Sequence, residues 1–214
     1  MALNKIHITN SSEALNSMLE VWFGRGMRAI TFLGPDPVSP EKRATLLVYP
    51  GSYQHAADFL AGSDAYGQSW RDSDSPNVAW VDTSRNEPWL APWVKMGCTG
   101  MLRVGMDLSG SKQIEVYASF GNQLTRPFVA EFVLDLLAAW SQVKRYVLTP
   151  LSGLTNQQLR VLNMSLNGLS ARECAVSLGV TERTVNHHLA TIQEKMGTQS
   201  KLGSIAKAIW CGAI

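Results

Sequence analysis

The stretch GLSARECAVSLGVTERTVNHHLATIQEKMG, from Gly168 to Gly197, decides how the C-terminal part of this 214-residue chain folds. Ser170 is followed three residues later by Glu173. In that capping-box spacing each side chain satisfies a backbone N–H that the start of a helix leaves unpaired. Ala175, Val176 and Leu178 then read as a short buried helix that stops at Gly179, with Val180 pinning the turn. Thr181 caps the next helix, in which Val185, Leu189, Ile192 and Met196 recur at helical spacing and face inward. Glu182, Arg183, Asn186, His187, Ala190 and Glu194 are left outside. Two short helices, a tight turn and a polar, basic outer face form the arrangement that lays one helix in the major groove of DNA.

Reading outward, Thr155 and Gln158 repeat the capping-box spacing ahead of a helix whose Leu159, Leu162 and Leu166 share one apolar face until Gly168 ends it. Downstream, a helix from about Lys201 to Cys211 offers Leu202, Ile205, Ala206 and Ile209 as a second apolar stripe. Residues 154–214 are therefore expected to form a four-helix helix-turn-helix domain. Glu182, Arg183, Asn186 and His187, beginning right after Thr181, lie where side chains reach base edges. Arginine reads guanine and asparagine reads adenine through paired hydrogen bonds. Thr184, Lys195, Ser200 and Lys201 are placed for phosphates, which position a protein without reading sequence.

These residues resemble the DNA-binding domain of LuxR-type transcription regulators. The pattern matches at Leu154-Thr155, Gly168-Leu169-Ser170, Leu178-Gly179-Val180-Thr181 and Thr184-Val185-Asn186-His187-His188-Leu189. The first helix departs from it. Gln157, Gln158 and Arg160 stand where the family usually carries Arg-Glu and a further Glu, which removes an internal ion pair.

Charge is consistent with a two-part protein. From Pro150 onward there are six Lys/Arg and three Asp/Glu, a balance of +3. With +2 overall, the preceding 149 residues carry −1. A weakly acidic body and a basic tail suit a sensor joined to a DNA module, and so modest a tail charge implies a dimer. Cys98, Cys174 and Cys211 lie too far apart in sequence to suggest a metal-ligand pair and read as reduced thiols. No secretory leader or membrane-spanning run is evident, so a cytoplasmic location is expected.

The front part, residues 1–146, reads as α+β: a sensor domain of α/β/α sandwich form around an antiparallel sheet, tied to the tail by a linker at 147–153. Ser11 or Ser12 caps a helix with Leu15, Met18, Leu19, Trp22 and Phe23 on one face, closed by Gly24 and Gly26. Residues 29–33 and 45–49 read as strands separated by a loop containing Pro35, Pro37 and Pro40. Residues 52–61 read as helix, and 62–92 as a loop-rich aromatic section. Residues 100–108 and 113–120 form a hairpin around Ser109-Gly110-Ser111, and a long helix starts at Arg126 or Pro127 and runs towards Tyr146.

Between Tyr53 and Trp93 the chain interleaves Phe59, Tyr66, Trp70, Trp80 and Trp89 with Asp58, Asp64, Asp72, Asp74 and Asp82. Aromatic walls with a few convergent polar groups are what a pocket for a small amphiphile needs. Here the chain resembles the sensing domains of quorum-sensing LuxR-type regulators, which bind N-acyl homoserine lactones. Asp74 and Trp89 have the spacing of that family's aspartate and tryptophan. The resemblance implies that Asp74 takes the signal's amide N–H and Trp89 its lactone carbonyl. Tyr66 then stands for the family's tyrosine and Ser119 for its strand hydroxyl, while Tyr53 occupies roughly the place of an upstream aromatic. Asp74-Ser75-Pro76 replaces the usual Asp-Pro-Val, and Asp72 is an equal candidate for the pocket carboxylate. Ligand contacts are thus expected at Tyr53, Tyr66, Trp70, Asp74, Trp89 and Ser119.

The implied partners are double-stranded DNA, a second copy of the chain and a small-molecule signal, with no metal or catalytic cofactor. Gly24-Arg25-Gly26 lacks the third glycine of a dinucleotide fingerprint. His187 and His188 are adjacent on a helix and point about 100° apart, which excludes a shared metal. No nucleophile elbow or zincin motif argues for an enzyme. Two alternatives remain: a regulator that senses a different small molecule, and one whose front domain recruits a partner protein. A phosphorylation-controlled receiver would want an early acidic pair, a lone acceptor aspartate and a later lysine; the segment Ile30–Asp36 does not supply them.

Overall fold

The computed structural model describes residues 13–36, 42–65, 77–82, 84, 87–108, 112–148, 152–210 and 213–214. Two compact units divide the chain, Met1–Val147 and Leu148–Ile214.

In the first unit the described elements run α1 (Glu13–Gly24), β1 (Met27–Pro35), β2 (Arg43–Tyr49), a 3-10 turn (Gly51–Tyr53), α2 (Gln54–Ala61), β3 (Asn77–Asp82), a second 3-10 turn (Pro88–Leu90), α3 (Ala91–Lys95), β4 (Gly100–Leu108), β5 (Lys112–Phe120) and α4 (Arg126–Leu148). The strands form one five-stranded antiparallel sheet in the order β2-β1-β5-β4-β3. Side chains alternate across a strand, so β5 sends Ile114, Val116, Ala118 and Phe120 to one face and Gln113, Glu115, Tyr117 and Ser119 to the other. The first face is closed by α1 and α4. Trp22 meets Phe120, Phe128 and Phe132 edge to face at 6.4, 5.2 and 5.0 Å, and its indole N–H donates to Asp135 at 2.9 Å. The second face is covered by α2 and α3, whose Ala56, Ala57, Leu60 and Trp93 pack on Ala29, Leu33, Met101 and Tyr117. The architecture is the α/β/α sandwich that the sequence implies.

The strand β3 departs from the loop expected over 62–92. Asn77, Ala79 and Val81 are half-buried, while Val78, Trp80 and Asp82 are exposed. An edge strand with apolar residues on both faces lacks the in-out pattern that marks a strand in sequence.

The second unit contains α5 (Asn156–Leu166), α6 (Ala171–Leu178), α7 (Glu182–Met196) and α8 (Lys201–Trp210). Both capping boxes form, Thr155 with Gln158 and Ser170 with Glu173. Gly179 ends α6 at φ 67°, a left-handed conformation that a side chain would strain. The core is Val161, Leu162, Cys174, Ala175, Val185, Ile192, Met196, Ile205 and Ala208. Four apolar positions differ from the expected inward faces. Val176 is 79% exposed and Leu202 74% exposed, and Leu166, in the last turn of α5, and Ala206 also face solvent. In α6 the inward face is Cys174 and Ala175, because Val176 follows one helical step of about 100° beyond Ala175 and turns outward. In α8, Ser204, Ile205 and Ala208 are buried, which leaves Leu202 and Ala206 on the far side.

Candidate functional site

Two surfaces carry the residues singled out in the sequence. The first is the outer face of α7. Its N-terminus is fixed by Thr181, whose hydroxyl accepts from the Thr184 N–H at 3.2 Å and lies 2.9 Å from the Thr184 hydroxyl. Val185, Ile192 and Met196 are buried beneath, and Leu189 is half-buried. Thr181, Glu182, Arg183, Asn186 and His187 are all exposed at this end, with Asn186 and His187 one turn on from Glu182 and Arg183. The His187 and His188 rings are 6.3 Å apart and tilted by 43°, and no metal-binding cluster occurs among the described residues.

The expected phosphate contacts divide into two groups. Lys201 is exposed at the start of α8. Ser200 instead caps α8, accepting from the Gly203 N–H at 3.0 Å. Lys195 is exposed but donates to the Gly153 carbonyl at 2.9 Å and to Gln158 Oε1 at 3.1 Å, joining the end of α7 to the start of α5. Its partner Gln158 is one of the residues that replace the family's usual carboxylates. Lys207, not singled out in the sequence, donates to the Met196 carbonyl at 2.7 Å and closes the C-terminus of α7. Positive charge there also suits the helix dipole.

The second surface is the sheet face beneath α2 and α3. Trp89 is buried and lines a cavity of about 420 Å³ with Phe59, Ser63, Asp64, Ala65, Val81, Glu87 and Pro88. Tyr53 is buried, stacked on Trp93 with ring centroids 5.5 Å apart, and its hydroxyl donates to the Met96 carbonyl at 3.3 Å. Burial raises its pKa. Ser119 is buried on the same face, its hydroxyl 3.5 Å from the Ala29 carbonyl. Tyr66, Trp70, Asp72 and Asp74 lie outside the described residues. Of the other aspartates, Asp58 is exposed and accepts from Gln54 at 2.8 Å, while Asp82 is exposed and accepts from the Ser84 N–H at 2.9 Å.

What the sequence reading missed is a charged cluster within this layer. The Glu115 carboxylate is fully buried between Arg103, at 2.6 Å, and Arg43, at 3.0 Å, and accepts from the Tyr117 hydroxyl at 3.1 Å. Arg103 also donates to Asn77 Oδ1. Arg43 further reaches the carbonyls of Leu60, Ala61, Ser63 and Ala65, at 2.8, 3.2, 2.7 and 3.3 Å, and so holds the C-terminal end of α2. Burial, followed by the Glu115 charge, pushes the Tyr117 phenol well above its ordinary pKa. Gly105 leaves room for the cluster's rim: a Cβ there would stand 2.7 Å from Gln113 Oε1 and 3.0 Å from Asn77 Oδ1. Strand parity held the clue, because Arg103 shares its face with Met101, and Glu115 shares its face with Tyr117. Cys98 is buried nearby, its thiol held at 3.2 Å from the Gly100 carbonyl and raised to about 11 by burial, which makes it unreactive.

Residues 152–208 match the family described as bacterial regulatory proteins, luxR family. The transcriptional activator protein AnoR of Acinetobacter nosocomialis is 27% identical over 166 residues, which cover 75% of this chain and 59% of AnoR. The transcriptional activator protein LuxR of Aliivibrio fischeri is 39% identical over 61 residues, 28% of this chain and 24% of LuxR. The chain thus spans less than two thirds of the length of these relatives. Among solved structures, Escherichia coli SdiA aligns over 96% of this chain and 93% of its own, at 18% identity and a TM-score of 0.44.

Proposed function

We propose that this chain, whose C-terminal unit is a LuxR-type helix-turn-helix domain, is a transcription regulator that binds an inverted-repeat DNA site as a dimer under the control of a small-molecule signal. The observation that carries the DNA reading is the N-terminal face of α7, where Arg183, Asn186 and His187 project from a helix anchored by Val185, Ile192 and Met196. Glu182, Arg183, Asn186 and His187 face the base edges, with Thr181 at the DNA beside them as the helix cap. Thr184, Lys195, Ser200 and Lys201 lie along the backbone side, with Lys195 also bracing α5. A cytoplasmic location fits this role, and no described helix is long and apolar enough to cross a membrane.

Selection of bound duplexes from a random library tests the DNA reading. An inverted repeat is expected, and Arg183→Ala or Asn186→Ala should weaken binding to it by about 1–3 kcal/mol each. Both variants retaining wild-type affinity would sink the assignment. Neither should move the thermal unfolding of the first unit.

An N-acyl homoserine lactone is the signal that the front domain's residues favour, with Tyr53, Tyr66, Trp70, Asp74, Trp89 and Ser119 around it. Asp74→Asn should weaken its binding more than Asp82→Asn, since Asp82 is occupied with the Ser84 turn. The opposite order retires Asp74 as the pocket carboxylate. A second reading, a different and more polar small molecule, is favoured by the buried Arg43–Glu115–Arg103 cluster on the same face. Native mass spectrometry of the protein purified from its own cells, followed by extraction of what it retains, separates the two.

A further inference from the structure

The layer between the sheet and α2–α3 contains two side chains whose polar atoms find no hydrogen-bond partner among the described residues, Thr31 Oγ1 and Trp93 Nε1. Both residues are almost fully enclosed, at 0% and 1% exposure. Leaving such a group unpaired costs about 1–3 kcal/mol, and most buried polar groups therefore find a partner.

Both belong to one buried layer. On β1, Thr31 alternates with Ala29 and Leu33, both of which pack under α2 and α3. It pairs with Tyr117 across the sheet while Ala29 pairs with Ser119, so Thr31 and Ser119 are diagonal neighbours on this face, about 7–8 Å apart. Trp93 comes from the opposite side of the layer, on α3, with its ring fixed by the Tyr53 stack. Ser119 faces Met101 across β4, and Met101 belongs to the same buried cluster as Trp93. The sheet thus brings a hydroxyl, and α3 an indole N–H, into the same buried layer.

We infer that Thr31 and Trp93 are ligand-contact residues that grip a carbonyl-type oxygen of the signal from opposite sides, the indole N–H as donor and the hydroxyl as donor or acceptor. This rests on the signal-sensing reading above and adds two contacts that the family pattern did not indicate. The class of ligand it specifies is a small molecule with an amide, ester or carboxyl oxygen buried between β1 and α3.

The test compares the full-length chain in ligand-stripped form with the same chain incubated in an organic extract of spent medium from the source organism. In stripped protein Thr31→Val should raise the thermal midpoint, because it replaces an unpartnered hydroxyl with a methyl group. With extract, the wild-type midpoint should rise, Thr31→Val and Trp93→Phe should lose most of that rise, and Thr31→Ser should keep it. A lower midpoint for stripped Thr31→Val would overturn the inference by showing that the hydroxyl is already satisfied. An extract that shifts wild type, Thr31→Val and Trp93→Phe alike overturns these contacts and leaves the signal reading standing. An extract that shifts nothing, wild type included, overturns the signal reading and this inference with it.

Discussion

The two units solve the problem of polar groups in opposite ways. In the second, polar side chains work at helix ends, the caps three residues from their partners and Lys195 and Lys207 bracing the end of α7 from farther off, and the core beneath is apolar. In the first, the charged contacts of the inner layer join residues far apart in sequence, such as Arg43 with Glu115 and Asn77 with Arg103. The second unit is therefore specified by short stretches of sequence, and the first by its sheet pairing. The contrast also fits their proposed tasks, since a reading head has only to present a rigid face while a sensor has to enclose something polar.

Substitutions should expose this difference. The largest loss is expected for Glu115→Ala, which leaves two buried guanidinium groups around an absent carboxylate. About 3–5 kcal/mol should disappear from the first unit's calorimetric transition. If the second unit's transition falls with it, the units are not energetically separate. Ile192→Ala should remove about 2–5 kcal/mol from the second unit by opening a cavity in its apolar core. Ser170→Ala, measured by denaturant unfolding, should remove about 1 kcal/mol, because the hydroxyl's exposed bonds to the Glu173 N–H and carboxylate are lost and nothing buried is exposed. Val176→Thr should stay within about 0.5 kcal/mol of wild type despite the removal of an apolar group; a larger loss would mean that Val176 is covered in solution.

One expected effect depends on pH. The Ser170 hydroxyl and backbone N–H hold the Glu173 carboxyl below its usual pKa. Its contribution is thus present above the unfolded carboxylate pKa and is lost as pH falls through the lower folded value. Glu173→Gln keeps the spacing of the cap without the charge, so the acid limb of the second unit's stability curve should flatten.

The same contrast governs how much the sequence reveals. Thr155-x-x-Gln158 and Ser170-x-x-Glu173 are local patterns, and both are capping boxes in the structure. Val176 and Leu202 misled because a short helix has few turns in which to define its inward face. In the first unit the hairpin of β4 and β5 is legible from two apolar runs around Ser109-Gly110-Ser111. The Arg43–Glu115–Arg103 cluster is not, since a charge within a strand reads as solvent-facing until the register places it opposite another. Thr31 and Trp93 were hidden for a different reason: a threonine in a strand and a tryptophan in an aromatic run are ordinary core residues until each polar atom is followed to a partner.

Arg43 has one further consequence. It stands near the start of β2, an edge strand, yet its guanidinium holds four carbonyls at the end of α2 as well as the central-strand carboxylate of Glu115. An edge strand is ordinarily the first part of a sheet to open and the part most apt to pair with another chain. Here peeling β2 away would break five contacts at once. Amide hydrogen exchange should accordingly show β2, the end of α2 and β5 opening as one cooperative block, with the edge protected almost as well as the centre.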